Sequence, residues 1–507
     1  MTFRSVFLTL ALILTAPPVS SQVIPVTTVP VASGDQFLLF PSNTRAMGGV
    51  GLALADTLGD PFSNPATGGR VQESVVFGSP TYYGISDRNG SGRSLPLGAF
   101  ISGTTWFGGG ALALQELEGA ERDRVFWPLF ADARLMLSSF RPWPDPTQDL
   151  SQLSARNLYA FGFLGIRFPE HGLAVGVSGS YADLKAVDGV ELLYAQARDI
   201  RQGGHVSDLR LGLVKEWDDH RSLELVLLRS RVRMRHDVTY LNLVWEPIPP
   251  DDFEVPQWRT REEENLDHTN TWGAHLAYRR PMGTRGWQVG WSLTANRKDH
   301  PKIPNYEIQN IPRDPGDTWA YRAGVGVAKT VGPGRFAAEL FLEPIRSETW
   351  ADAASDTVDV QGNPILAGEK TVENDFSFTN VLARIGGALS YRMATVLAGI
   401  QARSISYELD QFDVIQRTRR AQDESWMEWT PSLGIHLDLE GVGIRWMSRL
   451  TTGTGRPGTF WTPTRVLEAS GASSLDNTDF LVAPGGPLTL QDARVTTHQL
   501  AVVIPMG

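Results

Sequence analysis

The ten residues WQVGWSLTAN, numbered 287–296, decide the fold class of this chain. Every second residue is apolar, from Trp287 through Val289 to Leu293, and the residues between them are small or polar. A period of two is typical of a β-strand with one apolar face. The alternation recurs in other segments, among them WAYRAGVGVA (319–328), LGIHLDL (433–439) and VGIRWMSRL (442–450). The chain is therefore predicted to be all-β.

The two faces of these segments distinguish a membrane barrel from a soluble sandwich. The non-apolar face carries Gly, Ala and Ser interspersed with Arg, His, Asp and Gln, which suits a crowded polar lumen. The apolar face begins or ends with an aromatic residue in several segments, as at Trp272, Trp319 and Tyr391. Aromatic girdles at the membrane interfaces have this position. These features favour a transmembrane antiparallel β-barrel over a secreted array of sandwiches.

Composition and charge exclude other classes. The 507 residues carry a net charge of −10 and have a mean hydropathy of −0.17, which disfavours a nucleic-acid-binding protein and a multi-span helical membrane protein. The absence of cysteine excludes disulfide frameworks, thiolate zinc sites and cysteine nucleophiles. Because no motif for hydrolysis or metal binding is present either, we expect no enzyme activity, no cofactor and no metal site.

Residues 1–21 form a predicted secretory signal peptide. Arg4 supplies the positive charge, the apolar run VFLTLALILTA covers residues 6–16, and small residues precede Gln22. A membrane anchor is the alternative, but the run is shorter than the about 20 residues that a spanning helix needs. Since no long apolar run follows, the mature chain is expected in the bacterial outer membrane as a closed barrel.

Residues 73–507 are expected to form this barrel. Sixteen segments have the strand pattern, and the prediction is an even number of strands between about 12 and 16. Five polar connections are expected to be long extracellular loops, namely residues 142–155, 246–270, 298–318, 347–375 and 453–494. The charged run REEENLD (261–267) is interpreted as a solvated loop tip.

Residues 37–72 do not alternate and precede the first candidate strand. They contain RAMGGVGLALAD (45–56) and, after a turn, NPA (64–66). This arrangement resembles the N-terminal motif of the FadL-like outer-membrane protein superfamily. That superfamily includes long-chain fatty acid and aromatic hydrocarbon transporters and the PorV-type proteins of a secretion system.

The resemblance implies a barrel of about 14 strands with a short helical hatch in its lumen. Residues 22–72 would here form an N-terminal extension and this hatch, with the plug itself at residues 37–72. The residues that the resemblance assigns to the hatch are Arg45, Met47, Gly48, Gly49, Asn64, Pro65 and Ala66. Glycine permits close backbone packing against a barrel wall, and asparagine can satisfy buried backbone groups. An ordinary turn at Gly48 and Gly49 is the alternative.

Three consecutive glycines, Gly108, Gly109 and Gly110, lie in the third candidate strand. Such a run weakens strand pairing and favours a kink or bulge. Since FadL-like transporters are thought to release an apolar substrate sideways through a kink in this region, the resemblance implies a lateral exit here. The alternative is that the glycines make room for the hatch.

The alternation assigns several arginines to the inward face, including Arg392. The candidates for contact with an anion, such as a fatty acid carboxylate, are Arg279, Arg322, Arg384, Arg403 and Arg445. The alternative, which we favour on salt-bridge grounds, is that they pair with acidic residues and cross-link the wall.

A second set, Arg229, Arg231, Arg233 and Arg235, forms a one-sided ladder at the end of a strand. The ladder suggests either a bulge or emergence above the membrane, where the arginines would attract anions or lipopolysaccharide phosphates.

Together with the barrel pattern, the resemblance implies a monomeric outer-membrane transport protein for hydrophobic compounds, such as long-chain fatty acids, that works by passive, hatch-gated diffusion. A PorV-like barrel that binds secreted proteins and a general diffusion porin are the alternatives. The expected partners are outer-membrane lipid, a hydrophobic small-molecule substrate and, during biogenesis, the barrel-assembly machinery. Nucleic acid is not expected as a partner.

Overall fold

The computed structural model describes residues 22–28, 30–119, 154–188, 197–248, 253–283, 286–300, 315–353, 355–457 and 490–506. The predicted signal peptide lies outside these residues. Most of the connections expected at 142–155, 298–318 and 453–494 lie outside them as well.

In the described ranges the chain is almost entirely strand. One short α-helix, α1 (Asp60–Ser63), and 3₁₀ turns at Arg45–Met47, Pro65–Arg70 and Pro169–His171 are the helical elements there. The strands are β1 (Val75–Gly78), β2 (Thr81–Ile85), β3 (Ser91–Ser102), β4 (Trp106–Glu118), β5 (Ser154–Phe168), β6 (Leu173–Leu184), β7 (Ala197–Glu216), β8 (Ser222–Ile248), β9 (Phe253–Met282), β10 (Trp287–His300), β11 (Gly316–Val331), β12 (Gly334–Asp352), β13 (Thr357–Val358), β14 (Pro364–Ile365), β15 (Lys370–Tyr391), β16 (Ala394–Asp413), β17 (Thr418–Leu439), β18 (Val442–Pro457) and β19 (Leu490–Pro505).

The strands close into one antiparallel barrel. β1 and β2 are the two halves of an interrupted strand, because each pairs with β3 on one side and with β19 on the other. With β13 and β14 forming a separate small hairpin, the described wall has 16 strands. The count of about 14 that the resemblance implies is therefore wrong, since each of the sixteen alternating segments forms a strand of its own.

The two ends of the barrel differ in their connections. Tight turns join β3 to β4, β11 to β12 and β17 to β18 at one end, whereas the long connections, such as those from β4 to β5, from β12 to β15 and from β18 to β19, are all at the other end. In outer-membrane barrels the short turns face the periplasm and the long loops face outward. We accordingly call the two ends periplasmic and extracellular.

The outer surface carries the apolar face of the alternation. Leu112, Leu209 and Ile385 are more than 60% exposed although they lie in the middle of strands. Exposed aromatic residues flank this apolar band, with Trp272 and Trp319 near the extracellular side and Trp106 and Tyr391 at periplasmic turns. A closed barrel with such a band is a multi-strand protein of the bacterial outer membrane, as predicted.

Among the described residues, no helix is long and apolar enough to span a membrane.

One expected loop is a pair of strands instead. Residues 246–270 belong largely to β9, and the run REEENLD lies within this strand. β8 and β9 pair without a register shift from Ser222 and Arg279 to Ile248 and Phe253. The alternating pattern fades there because both faces of the hairpin have left the apolar membrane and no longer need to differ. The register has no shift at residues 229–235, so of the two interpretations of the Arg229 ladder the structure excludes a bulge and favours emergence above the membrane.

Two smaller corrections concern the ends of strands. The expected loop 347–375 is shorter, because β12 continues to Asp352, β15 begins at Lys370 and the β13–β14 hairpin lies between them. Arg392 does not face the lumen. It lies exposed in the periplasmic turn between β15 and β16 with a φ of 53°, where the alternation of a strand no longer applies.

Candidate functional site

The N-terminal segment, defined here as residues 22–74, occupies the lumen along the length of the barrel. Near the extracellular end Lys298 donates a hydrogen bond to the Ile24 carbonyl at 2.6 Å, and the Ile24 N–H donates to Asn296 at 2.7 Å. At the periplasmic end the Arg70 guanidinium lies 2.8 Å from the carboxylate of Glu216, the last residue of β7. The segment therefore descends through the barrel before β1 begins.

Glycines of the wall form seats for this segment. Gly176 on β6 and Gly212 on β7 lie opposite each other in register. A Cβ on Gly176 would lie 2.7 Å from the carbonyl carbon of Pro65, and one on Gly212 would overlap the side-chain oxygen of Asn64. Only glycine permits so close an approach of two backbones, so this pair forms a seat for the Asn-Pro-Ala turn.

A second seat lies across the lumen. Gly386 on β15 and Gly399 on β16 are register partners, and a Cβ on either would overlap the backbone of Met47. Gly290 on β10 provides a third seat, where a Cβ would overlap the carbonyl oxygen of Leu52. The segment is thus fitted to the wall on several sides.

The predicted hatch residues 64–66 lie at the first seat. Asn64 is 2% exposed; its Oδ1 accepts from the Ala66 N–H at 3.1 Å, and its Nδ2 donates to Glu224 at 3.2 Å. Pro65 begins the following 3₁₀ turn, and Ala66 is fully buried. Asn64 therefore both caps the turn and ties it to β8.

The predicted residues 45–49 lie at the second seat. Met47 is buried, and Gly48 and Gly49 have φ values of 74° and 75°, which glycine adopts without strain. The Gly48 N–H donates to the Ser432 hydroxyl at 3.0 Å, so these glycines both turn the chain and hold it to β17. Burial lowers the pKa of Arg45 to about 10, which leaves its guanidinium charged at neutral pH.

Two of the predicted arginines share one carboxylate. Glu343 on β12 lies 2.6 Å from Arg322 and 3.3 Å from Arg403, and its own side chain has no exposed surface. Charges in a poorly solvated lumen need such partners. Arg322 and Arg403 therefore cross-link β11, β12 and β16.

Two further arginines contact the N-terminal segment. Arg384 donates to the Gly49 carbonyl at 3.1 Å and lies 3.8 Å from Glu339. Arg445 donates to the Asn43 side chain at 3.0 Å. Arg279 lines the cavity described below, and no ion pair within 4.0 Å is recorded for it among the described residues. Of the five candidates, four thus have protein partners and Arg279 alone is left as a candidate anion contact.

Glu339 holds the segment from the wall side. Its carboxylate accepts from the Gly51 N–H at 2.6 Å and from the Leu52 N–H. Backbone donors in a bend of the segment thus converge on one acidic side chain of β12. This contact and the glycine seats are the main features of the site that the sequence analysis missed.

Acidic groups meet where α1 approaches β8. Burial raises the pKa of Asp60 well above its usual value, and the neighbouring Asp56 and Glu224 raise it further. Burial alone would lower the pKa of Arg70, but its ion pairs with Glu224 and Glu216 raise it instead. The raised pKa favours the neutral form of Asp60, and Arg70 counters the charges of Glu224 and Glu216.

The segment leaves a polar cavity of about 330 Å³ in the lumen. Its lining includes charged residues of both the segment and the wall, among them Arg45, Asp60, Glu224, Arg279 and Arg384. A cavity of this size holds several waters or a small polar solute.

Two aromatic clusters lie at the edges of the segment. The periplasmic aromatic cluster contains Phe40 and Phe62 of the segment, whose rings stack at 3.7 Å, and the wall residues Phe77, Phe100, Phe107, Phe161 and Phe163. A small apolar cavity of about 30 Å³ adjoins it. The extracellular aromatic cluster contains Phe376, Phe378, Tyr407 and Trp426, and Ile24 and Val26 of the segment cover it.

The glycine run 108–110 lies in a regular part of β4. Gly109 pairs with Phe100 on one side and Phe163 on the other, and the register has no shift here. A Cβ on Gly109 would lie 2.5 Å from the Ala99 carbonyl and 2.6 Å from the Phe163 ring. In this conformation the glycines provide room for the periplasmic aromatic cluster; a lateral exit remains a prediction.

Metal binding has no candidate in the part of the chain that the structure describes, since no group of three or more His, Asp or Glu side chains there is placed to hold an ion.

The fold and the site together define the class of protein. It is an outer-membrane β-barrel whose lumen holds its own N-terminal segment.

Comparisons with known proteins find distant structural likenesses. No family model matches the chain, and no curated protein matches it. Among solved structures, a Pseudomonas aeruginosa FadL homologue is 12% identical, with 94% of this chain and 100% of that chain covered and a TM-score of 0.42. The ferric-catecholate import receptor Fiu from E. coli K12 is 8% identical, with 86% and 82% covered and a TM-score of 0.37. CdiB from Acinetobacter baumannii is 8% identical with a TM-score of 0.38; 85% of this chain but only 60% of CdiB is covered. At these values the likenesses say nothing about function.

Proposed function

We propose that the chain is a FadL-like outer-membrane transport protein that admits hydrophobic compounds, such as long-chain fatty acids, by passive diffusion gated by its N-terminal segment. The observation that carries this proposal is the placement of that segment over two aromatic clusters, one at the extracellular side of the lumen and one at the periplasmic side. An apolar solute that displaced Ile24 and Val26 would meet Phe376, Phe378 and Tyr407. Aromatic and aliphatic surfaces are the usual lining of sites for apolar ligands.

The charged middle of the lumen gives the segment its gating role. An apolar solute gains nothing from the arginines and carboxylates between the clusters, so its passage requires the segment to shift and open the apolar side of the wall. Arg279 is then the residue best placed to meet a carboxylate head group.

A disulfide lock tests this gate, and the absence of native cysteine makes the test clean. Val31 and Gly455 are partners in a β-bridge between the segment and β18, a separation that a disulfide can span. We expect Val31→Cys with Gly455→Cys to abolish uptake of labelled fatty acid when oxidised and to restore it on reduction. The control pair Leu389→Cys with Val396→Cys joins β15 to β16 on the outer wall and should leave uptake unchanged in both states. Equal uptake by the locked and reduced forms of the Val31 pair contradicts the proposal.

A PorV-like role as a binding partner of secreted proteins is the second candidate. The observation that favours it is the β8–β9 hairpin, which continues far beyond the membrane and offers a surface to a partner. Mass spectrometry of the protein purified in mild detergent separates the two: a hydrophobic ligand supports transport, and a stoichiometric protein partner without such a ligand supports binding. A general diffusion porin would show large ion conductance in the intact protein.

A further inference from the structure

Arginine and tryptophan alternate across five adjacent strands on the outside of the barrel. In register, Arg229 of β8 faces Trp272 of β9, Trp272 faces Arg297 of β10, Arg297 faces Trp319 of β11, and Trp319 faces Arg346 of β12. We call these five residues the Arg–Trp row. Since cross-strand neighbours lie side by side on one face of a sheet, the row forms one continuous band.

The row marks the extracellular edge of the apolar band. On the periplasmic side of the row, the outer surface carries exposed apolar residues such as Leu227 and Leu293. Within the row, Trp272 and Trp319 are 55% and 45% exposed. Tryptophan prefers this boundary between hydrocarbon and head groups, so the row lies at the level of the outer-leaflet head groups.

The tryptophans orient the guanidinium groups. The Arg229 guanidinium lies 4.5 Å from the centre of the Trp272 ring, and that of Arg297 lies 5.6 Å from Trp319. Stacking of this kind fixes the plane of a guanidinium and leaves its N–H edge available.

Only some of the arginines in the row form ion pairs within the described protein. Arg297 pairs with Asp317 at 2.9 Å. By contrast, the Nε of Arg229 is buried without a hydrogen-bond partner, and no ion pair of Arg229 or Arg346 is recorded among the described residues. Exposed Arg231 adds a further positive charge just beyond Arg229 on β8.

The row ends at an acidic surface. In register, Arg346 faces Ser377 of β15, Ser377 faces Glu408 of β16, and Glu408 faces Asp423 of β17. Acidic residues also lie within the sector from β8 to β12, one outward position beyond the row towards the extracellular end, at Asp299, Asp317 and Glu348. The attraction for anions therefore comes from Arg229 and Arg346, for which no ion pair is recorded in the described structure, and from the adjacent Arg231.

We propose that the Arg–Trp row is a binding site for the phosphate groups of the outer-leaflet glycolipid. The planar fork of arginine matches a phosphate with two parallel hydrogen bonds, and the row holds its arginines at head-group level. The acyl chains of the bound lipid would lie on the apolar wall below the row. This inference does not depend on what the lumen transports.

The test uses the full-length protein in lipid nanodiscs with diphosphoryl lipid A as the probe, and native mass spectrometry counts the lipid A that remains bound to each barrel. We expect each substitution among Arg229→Gln, Arg297→Gln and Arg346→Gln to weaken retention roughly fivefold, and the triple variant to weaken it about a hundredfold. The matched control is Arg280→Gln with Lys329→Gln, which removes two cations stacked on Trp291 and Trp287 at the periplasmic side. The control should retain lipid A as the wild type does.

Two results would overturn the proposal. One is retention by the triple variant equal to that of the wild type. The other is equal retention of dephosphorylated and diphosphoryl lipid A by the wild type, a comparison that needs no variant. If the triple variant fails to fold, Arg346→Gln alone tests the proposal by its own roughly fivefold loss, because Arg346 is exposed and no ion pair is recorded for it in the described structure.

Discussion

A single carboxylate, that of Glu343, counters two guanidinium groups in the middle of the lumen. Such an arrangement serves stability more than ligand capture, because both arginines already have a partner. The sequence analysis assigns both arginines to the inward face, but it does not identify Glu343 as their partner, since the pairing depends on the register between β11, β12, β15 and β16. At the residue scale, the sequence therefore predicts the direction in which each side chain points but not the residue with which it pairs.

Glu343→Gln is expected to destabilise the barrel by about 3 kcal/mol, because it leaves two buried positive charges without a counter-charge. Urea unfolding in detergent micelles measures the effect. The control Glu118→Gln changes a half-exposed carboxylate at the end of β4 and should have little effect. Equal midpoints for the wild type and Glu343→Gln would contradict this account of the lumen.

Asp60 should make the seating of the segment depend on pH. Its pKa is raised in the folded state, so the folded protein keeps a proton that the unfolded segment releases. Stability from this group is therefore unaffected below the unfolded pKa of about 3.9 and declines as pH rises towards the raised value. Limited proteolysis of the segment should be faster at pH 8 than at pH 5, and Asp60→Asn should reduce that difference. An unchanged pH dependence in the variant would show that other groups cause it.

At the scale of elements, the period of two was sufficient to find all sixteen strands of the wall. The reason is physical: a strand between lipid and lumen must alternate, and each of these segments does. The same reason explains the failure at residues 246–270. Above the membrane the two faces of β8 and β9 meet similar surroundings, so the pattern that identifies a strand is lost although the pairing continues.

The glycine seats could have been predicted from the sequence. Gly176, Gly212, Gly386 and Gly399 all occupy inward positions of alternating strands, where a lumen residue would otherwise carry a side chain. Inward glycines thus indicate that another part of the chain approaches the wall. Which part approaches which glycine depends on the fold and could not be predicted.

Gly399→Val is expected to weaken the second seat by about 3 kcal/mol or more, because the new side chain overlaps the backbone of Met47. The barrel should still migrate as a heat-modifiable band, while protease cleaves the segment faster. Gly203→Val on β7 is the control, since a Cβ there meets nothing within 4 Å. Equal cleavage of both variants would argue against a close fit at this seat.

At the scale of the whole molecule, barrel and segment should differ in resistance to denaturant. Strand pairing continues around the whole described wall, whereas the segment is held mainly by side-chain bonds and packing. A 16-stranded wall without its contents is wide enough for an aqueous channel. In planar bilayers, urea that leaves the strand signal of the protein unchanged should therefore raise the ion conductance, and its removal should restore the low value. Conductance that rises only when strand content falls would contradict this.

The position of the segment immediately before β1 also determines where it stays attached to the wall. The seam of the cylinder lies where β1 and β2 meet β19, so the last strand closes beside the point at which the segment leaves the lumen. The contacts of the segment with β6, β10, β15 and β16 are all non-covalent, and its one covalent link to the wall is at this seam. The link works as a tether: when the other contacts are released, the segment stays beside the opening of the lumen and can return to its seats.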